Sequence, residues 1–142
     1  MIPMLTNRSV ALRLFEEVWN QGHIELIPEL VHSDAITYDL EGPGVVTNSF
    51  ATFKVFHSQM RGAIPDLKIT ILDTIAEEDK VVLRTQSNGT HLGSDLGMPP
   101  TGNPIDFAAV VILRFRDGKI AESWNFIDQL SFYQQLRVLN VR

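Results

Sequence analysis

The order of hydrophobic patterns along the 142-residue chain predicts an α+β fold. Helical periodicity is confined to the segment between Ser9 and Arg61 and to a short stretch at the C-terminal end, whereas the residues from Leu67 to Ile127 alternate like strands. Helices followed by an antiparallel meander pack as helices on one face of a sheet. One strand, Phe107 to Leu113, is apolar on both alternating faces, so the sheet is expected to be covered on both sides. No repeat, low-complexity tract or linker interrupts the pattern, and residues 1–142 read as a single domain.

From Ser9 to Asn20, the residues Ala11, Leu14, Phe15, Val18 and Trp19 fall on one helical stripe, which Gly22 ends as a left-handed cap. A short second helix, Ile24 to Leu30, leads to a strand around Ala35 to Asp39. Glu41-Gly42-Pro43-Gly44 is a turn cluster. A third helix is predicted from about Asn48 to Arg61, capped by Thr47 or Asn48, with Phe50, Phe53, His57 and Met60 along one side. Pro65 forbids its continuation. Strands follow at Leu67–Ala76, Lys80–His91, Ile105–Arg116 and Lys119–Ile127, the last two joined by an Asp117-Gly118 turn. A terminal helix is expected over about Gln129 to Leu139.

Composition narrows the function. Apolar residues make up 44% and charged residues 20%, the proportions of a globular protein. The formal charge of −5 comes without any Lys/Arg run, so nucleic-acid binding and attachment to an anionic membrane lack their electrostatic footprint. No cysteine is present, which excludes disulfides, thiolate nucleophiles and cysteine-bound metal. His23, His32, His57 and His91 have no metal-ligand spacing, and no nucleotide-binding glycine motif or Gly-x-Ser-x-Gly elbow occurs. Neither a signal peptide nor a membrane span is expected, and a cytoplasmic, cofactor-free protein is the default reading.

Several motifs occur in a fixed order: Trp19-Asn20-Gln21-Gly22, Pro65-Asp66-Leu67, Gly89-Thr90-His91, Gly97-Met98-Pro99-Pro100-Thr101-Gly102, Lys119-Ile120 with Glu122 and Trp124, Asp128, and Gln134-Gln135-Leu136. Together they span nearly the whole chain, which resembles the SnoaL-like polyketide and ester cyclases. The resemblance implies an NTF2-like cone, a curved and mostly antiparallel sheet with about three N-terminal helices on its concave face, enclosing one apolar pocket. It also implies acid/base catalysis by a pocket carboxylate and supports a homodimer joined through the sheet.

A period of two would set Ile120, Glu122, Trp124, Phe126 and Asp128 on one face of the last strand. From spacing alone Asp128 suits the cap of the helix that opens at Gln129. The resemblance instead makes it the acid/base group, on a wall formed with Trp124 and Phe126. His91 ends a strand and is either a second catalytic group or a structural residue that holds a loop carbonyl. Tyr38 stands where relatives frequently carry histidine, and a phenol there can hydrogen-bond a carbonyl. His57 and Phe53 lie on one side of the third helix, and Trp19 on the first helix is core or pocket wall. Relatives also place a histidine on the strand before the last hairpin, where this chain has Arg114 nearby. The loop from Leu92 to Asn103 is either a pocket rim or a rigid corner.

These features lead to an expected ester or polyketide cyclase that closes a ring in a hydrophobic carbonyl compound by an intramolecular aldol step. The catalytic candidates are Asp128 and His91, and the binding candidates are Trp124, Tyr38, His57, Phe126, Trp19 and Phe53. The alternatives are a non-catalytic small-molecule-binding domain, or another acid/base enzyme of the fold, such as a ketosteroid-isomerase-like isomerase or an epoxide hydrolase.

Overall fold

The computed structural model describes residues 6–137. The chain opens with helix α1 (Asn7–Arg13), capped by the Thr6 side chain, and continues without a break into a π-helical stretch, Leu14–Asn20. Gly22, at φ +81°, ends it. A 3-10 turn (Ile24–Leu26) and helix α2 (Ile27–Leu30) follow, then strands β1 (Val31–Tyr38) and β2 (Val46–Thr47), helix α3 (Phe50–Ala63), strands β3 (Lys68–Glu77), β4 (Lys80–Thr90), β5 (Pro104–Arg116) and β6 (Lys119–Ile127), and helix α4 (Gln129–Gln135).

The six strands form one curved open sheet in the order β2-β1-β6-β5-β4-β3. Every pairing is antiparallel except β1 with β6, which run parallel, as a strand reached through helices can. The helices cover one face. There Val10, Phe15 and Val18 of the first helical segment, Leu30 of α2, and Met60, Ala63 and Ile64 around α3 bury against Val81 and Leu83 of β4 and Val111 and Leu113 of β5.

The α+β class and the four long strands stand as the sequence predicts. Helix α3 is capped by Ser49, whose side chain accepts from the Thr52 backbone N–H, and not by Thr47 or Asn48. Thr47 is drawn instead into the two-residue strand β2, where it pairs with Thr37. Strand β1 starts at Val31, earlier than expected, and its register against β6 slips between Val31 and Ile36. The expected end of the last helix at Leu139 lies outside the described residues.

The period of two fails in β6. Arg114 pairs with Glu122 and Phe115 with Ile120, so Ala121 is an extra residue. Such a bulge turns the strand and reassigns its faces. Ile120 faces the helices, and after the bulge so do Ser123, Asn125 and Ile127. Glu122, Trp124 and Phe126 therefore face away from the helices.

Candidate ligand chamber

Between the helices and the covered face of the sheet lies a cavity of about 580 Å³. Its floor is built by strand residues two apart: Thr85 and Ser87 on β4, Phe107, Ala109 and Val111 on β5, and Ser123, Asn125 and Ile127 on β6. Its roof comes from Phe15 and Trp19 of the first helical segment and Phe50, Phe53, Phe56 and Met60 of α3. Trp19 meets Phe53 and Phe56 edge to face, at ring separations of 5.8 and 6.1 Å, a favoured aromatic geometry that holds the roof together. Leu96 and Met98 from the Leu92–Asn103 loop, with Phe132 and Tyr133 of α4, complete one end. A mostly apolar wall with a few polar groups is the usual make-up of a small-molecule site, and this volume lies within the usual range.

The polar groups of the wall are placed by strand pairing. Thr47 opposes Thr37, and Thr37 opposes Ser123, so three hydroxyls run across β2, β1 and β6. Asn125 joins them, its Nδ2 donating to the Tyr38 carbonyl at 2.9 Å and to Ser123 Oγ at 3.1 Å. At one end Lys119 and His32 line the wall, Lys119 donating to the Pro28 carbonyl at 3.0 Å and His32 bonded to the Arg116 carbonyl. At the other end is Glu41, the one carboxylate among the described lining residues. Among the described residues no group of three or more metal-ligating side chains comes together, and no helix is long and apolar enough to cross a membrane.

Of the binding candidates, Trp19 and Phe53 line the chamber. The other candidates lie elsewhere. Asp128 is exposed; its Oδ1 accepts from the Ser131 N–H at 3.1 Å and its Oδ2 from the Ser131 hydroxyl at 2.6 Å, so it is the N-cap of α4. These bonds hold its carboxyl below the usual carboxylate range. The expectation that it projects inward is corrected, and the cause is the bulge at Ala121, which sets Trp124 and Phe126 on the far face as well. Phe126 is 61% exposed, and Trp124 stacks on Tyr38 at 6.0 Å on that same far face.

His57 is buried, but as a core residue: a ring nitrogen meets the Val18 carbonyl at 2.7 Å and the ring packs on Trp19. Burial depresses its pKa, keeping it neutral. His91 is fully buried and does not line the chamber. Its Nδ1 accepts from the Thr101 N–H at 3.2 Å and lies 3.0 Å from the Thr101 hydroxyl, while Nε2 has no partner among the described residues. The Leu92–Asn103 loop is thus both things expected of it. Thr101 and His91 make its rigid corner, and Leu96 and Met98 make a wall.

Sequence reasoning missed Ser123, Asn125, Thr47, Tyr133 and Glu41 as chamber residues. An alternation in which Trp124 and Phe126 flank Ser123 and Asn125 reads naturally with the aromatics inward. A bulge leaves no mark in sequence unless it falls on a glycine, and this one falls on Ala121.

Helices packed on a curved sheet, with an apolar chamber between them, make up a cone of the NTF2-like type. The pattern of the SnoaL-like polyketide cyclases matches residues 9–136, and the chain belongs to that family. Among curated proteins it is 24% identical over 138 residues to aklanonic acid methyl ester cyclase AcmA of Streptomyces galilaeus, covering 93% of this chain and 92% of that one. Among solved structures it is similar to IdmH of Streptomyces antibioticus, a proposed polyketide cyclase, with 27% identity, a TM-score of 0.79, and 94% and 100% of the two chains covered. It is also similar to AclR of Streptomyces galilaeus, a proposed hydroxylase, with 28% identity, a TM-score of 0.80, and 95% and 87% covered.

Proposed function

We propose that the chamber binds a hydrophobic polycyclic or polyketide-derived carbonyl compound and promotes its ring closure by proton transfer. The observation that carries this reading is the chamber itself, a cavity of about 580 Å³ whose wall is mostly aromatic and aliphatic, with a strip of hydroxyl and amide groups across β2, β1 and β6 and a few ionisable groups at its ends. Such a wall takes up a flat apolar body by desolvation, worth roughly 25 cal/mol per Å² of apolar surface removed from water. The hydroxyls of Thr37 and Ser123 can donate to carbonyl oxygens, which orients the molecule. Family membership and the named activity of AcmA support ring closure as the reaction. Holding two ends of one chain together in a shaped cavity supplies much of the rate of such a closure.

A second reading, binding without turnover, is favoured by the outward carboxylate of Asp128 and by the position of His91 outside the chamber wall. In both readings the far face of the sheet docks a second copy of the chain, because Tyr38, Trp124, Phe126 and Ile112 make it apolar.

Methyl anthraquinone-2-carboxylate, a flat apolar keto ester, tests the shared part of both readings by thermal shift. Binding to the folded state alone adds about 2.7 kcal/mol of stability at a hundredfold excess over Kd. A rise in melting temperature that Phe53→Asp abolishes is the expected result. An unchanged midpoint at the solubility limit of the ester would contradict the reading.

A further inference from the structure

We propose that Glu41 is the proton-transferring carboxylate of this chamber. The inference rests on reading the chamber as the substrate site, and it assigns the chemistry to a turn that no sequence motif marks. Three observations lead to it: where Glu41 stands, how it is held, and what the other ionisable groups of the wall are doing.

Glu41 belongs to the turn between β1 and β2, which is built to be stiff. Asp39 sits at φ +60° and accepts from the Gly44 N–H at 2.5 Å through its side chain. Its own N–H donates to the Val45 carbonyl at 2.9 Å, and the Val45 N–H to the Gly42 carbonyl at 3.1 Å. Helix α4 braces the turn from outside, since Gln129 reaches the Asp39 carbonyl and Tyr133 donates to Gln129 Oε1 at 3.2 Å. Leu40, Glu41 and Gly42 of this turn all line the cavity.

Within that frame the carboxylate is oriented. The hydroxyl of Thr47, a residue only 4% exposed, donates to Oε2 of Glu41. Among the described residues Oε1 has no hydrogen-bond partner, so one oxygen is anchored and one is available to a ligand. Each competing group is engaged or elsewhere: Asp128 caps α4 outside the chamber, while Lys119 and His32 are tied to backbone carbonyls at the opposite end.

The chemistry follows. Oε1 takes a proton from a carbon beside a ligand carbonyl, and the electron pair of that C–H bond moves into the carbonyl to give an enolate. The enolate carbon attacks a second carbonyl of the same molecule, forming one C–C bond and an alkoxide. The proton held on Glu41 then passes to the alkoxide, which regenerates the carboxylate, so no co-reactant is consumed. A ligand that fills the chamber expels water from around the carboxylate.

The test uses 5-nitrobenzisoxazole, an apolar carbon acid. A base removes its ring C–H proton, the N–O bond breaks, and the coloured cyanophenolate that results reports proton abstraction without any knowledge of the natural substrate. The whole protein is expected to accelerate this opening beyond an equal concentration of acetate, with a rate that rises as a carboxylate ionises. Glu41→Gln, which keeps an acceptor for Thr47, is expected to lower the rate by about a hundredfold or more and to flatten that pH limb. A wild-type rate no better than acetate, or loss of rate in Asp128→Asn with retention in Glu41→Gln, overturns the assignment. Binding of methyl anthraquinone-2-carboxylate is followed in parallel. If the ester binds wild type and Glu41→Gln alike while their rates are equal, Glu41 is excluded and the chamber reading stands; if the ester binds neither, both fall.

Discussion

At the scale of single residues, the largest departure from expectation is Asp128. Its spacing, immediately before a helix, suits a cap, and the structure uses it as one: both carboxylate oxygens are spent on Ser131. Because those bonds lower its pKa in the folded protein, the stabilisation is complete above the ordinary carboxylate value of 3.8 and is lost as pH falls through the depressed folded value. Asp128→Ala should therefore lower the melting temperature at pH 7 and narrow its gap to wild type in strong acid. Asp128→Asn, which can still cap, should recover most of the loss. Differential scanning calorimetry across pH 2–7 checks this. A variant as stable as wild type at neutral pH would mean that the cap contributes nothing.

At the scale of elements, the motifs that made the family legible turn out to be fasteners between segments distant in sequence. Asn20 of the Trp19-Asn20-Gln21-Gly22 motif pairs with strand β3 as a neighbouring strand would: its Nδ2 donates to the Ile69 carbonyl at 2.8 Å and its Oδ1 accepts from the Ile69 N–H at 2.7 Å. Asp66 accepts from both the N–H and the hydroxyl of Thr90, which locks the entry of β3 to the end of β4. The next fastener is the Thr101 contact with His91, and Gln135 bonds both backbone groups of Asp106. Gly89 is required in this arrangement because a Cβ there would come within 2.3 Å of Ile64 Cγ2. Removing a fastener leaves backbone groups unpaired in a half-buried setting. Asn20→Ala is accordingly expected to cost about 1–3 kcal/mol in urea unfolding, with the slope unchanged. A loss below the error of the measurement would show the pairing to be incidental.

This explains why the fold was readable and the site was not. Helical stripes, strand alternation and fastener motifs are all written locally, and they led to the right class, the four strands from β3 to β6 and the right family. The chamber wall depends on which way β6 faces, and a single extra residue at Ala121 decides that. A turn such as Asp39–Val45 carries only the signature of a turn. Its carboxylate acquires meaning once α4 and β2 close around it.

At the scale of the whole molecule the sheet has two unlike faces. One is covered by the protein's own helices and encloses the chamber. The other carries the Tyr38–Trp124 stack, Phe126 and Ile112, an apolar surface interrupted by the Arg114–Glu122 ion pair at 2.6 Å. In the proposed dimer this face is the interface, and Phe126→Glu, which would bury an unpaired charge there, is expected to shift sedimentation from dimer to monomer. A wild-type monomer at all concentrations would remove the dimer from the account.

The chain's two tryptophans fall one on each side of this sheet, Trp19 in the chamber roof and Trp124 on the far face. Incorporation of 5-fluorotryptophan gives one fluorine resonance for each, assigned by Trp19→Phe and Trp124→Phe. Titration with methyl anthraquinone-2-carboxylate should move or broaden the Trp19 resonance, saturably, and leave that of Trp124 in place. A response confined to Trp124, or none from either at saturating ester, would contradict the placement of the ligand site between helices and sheet.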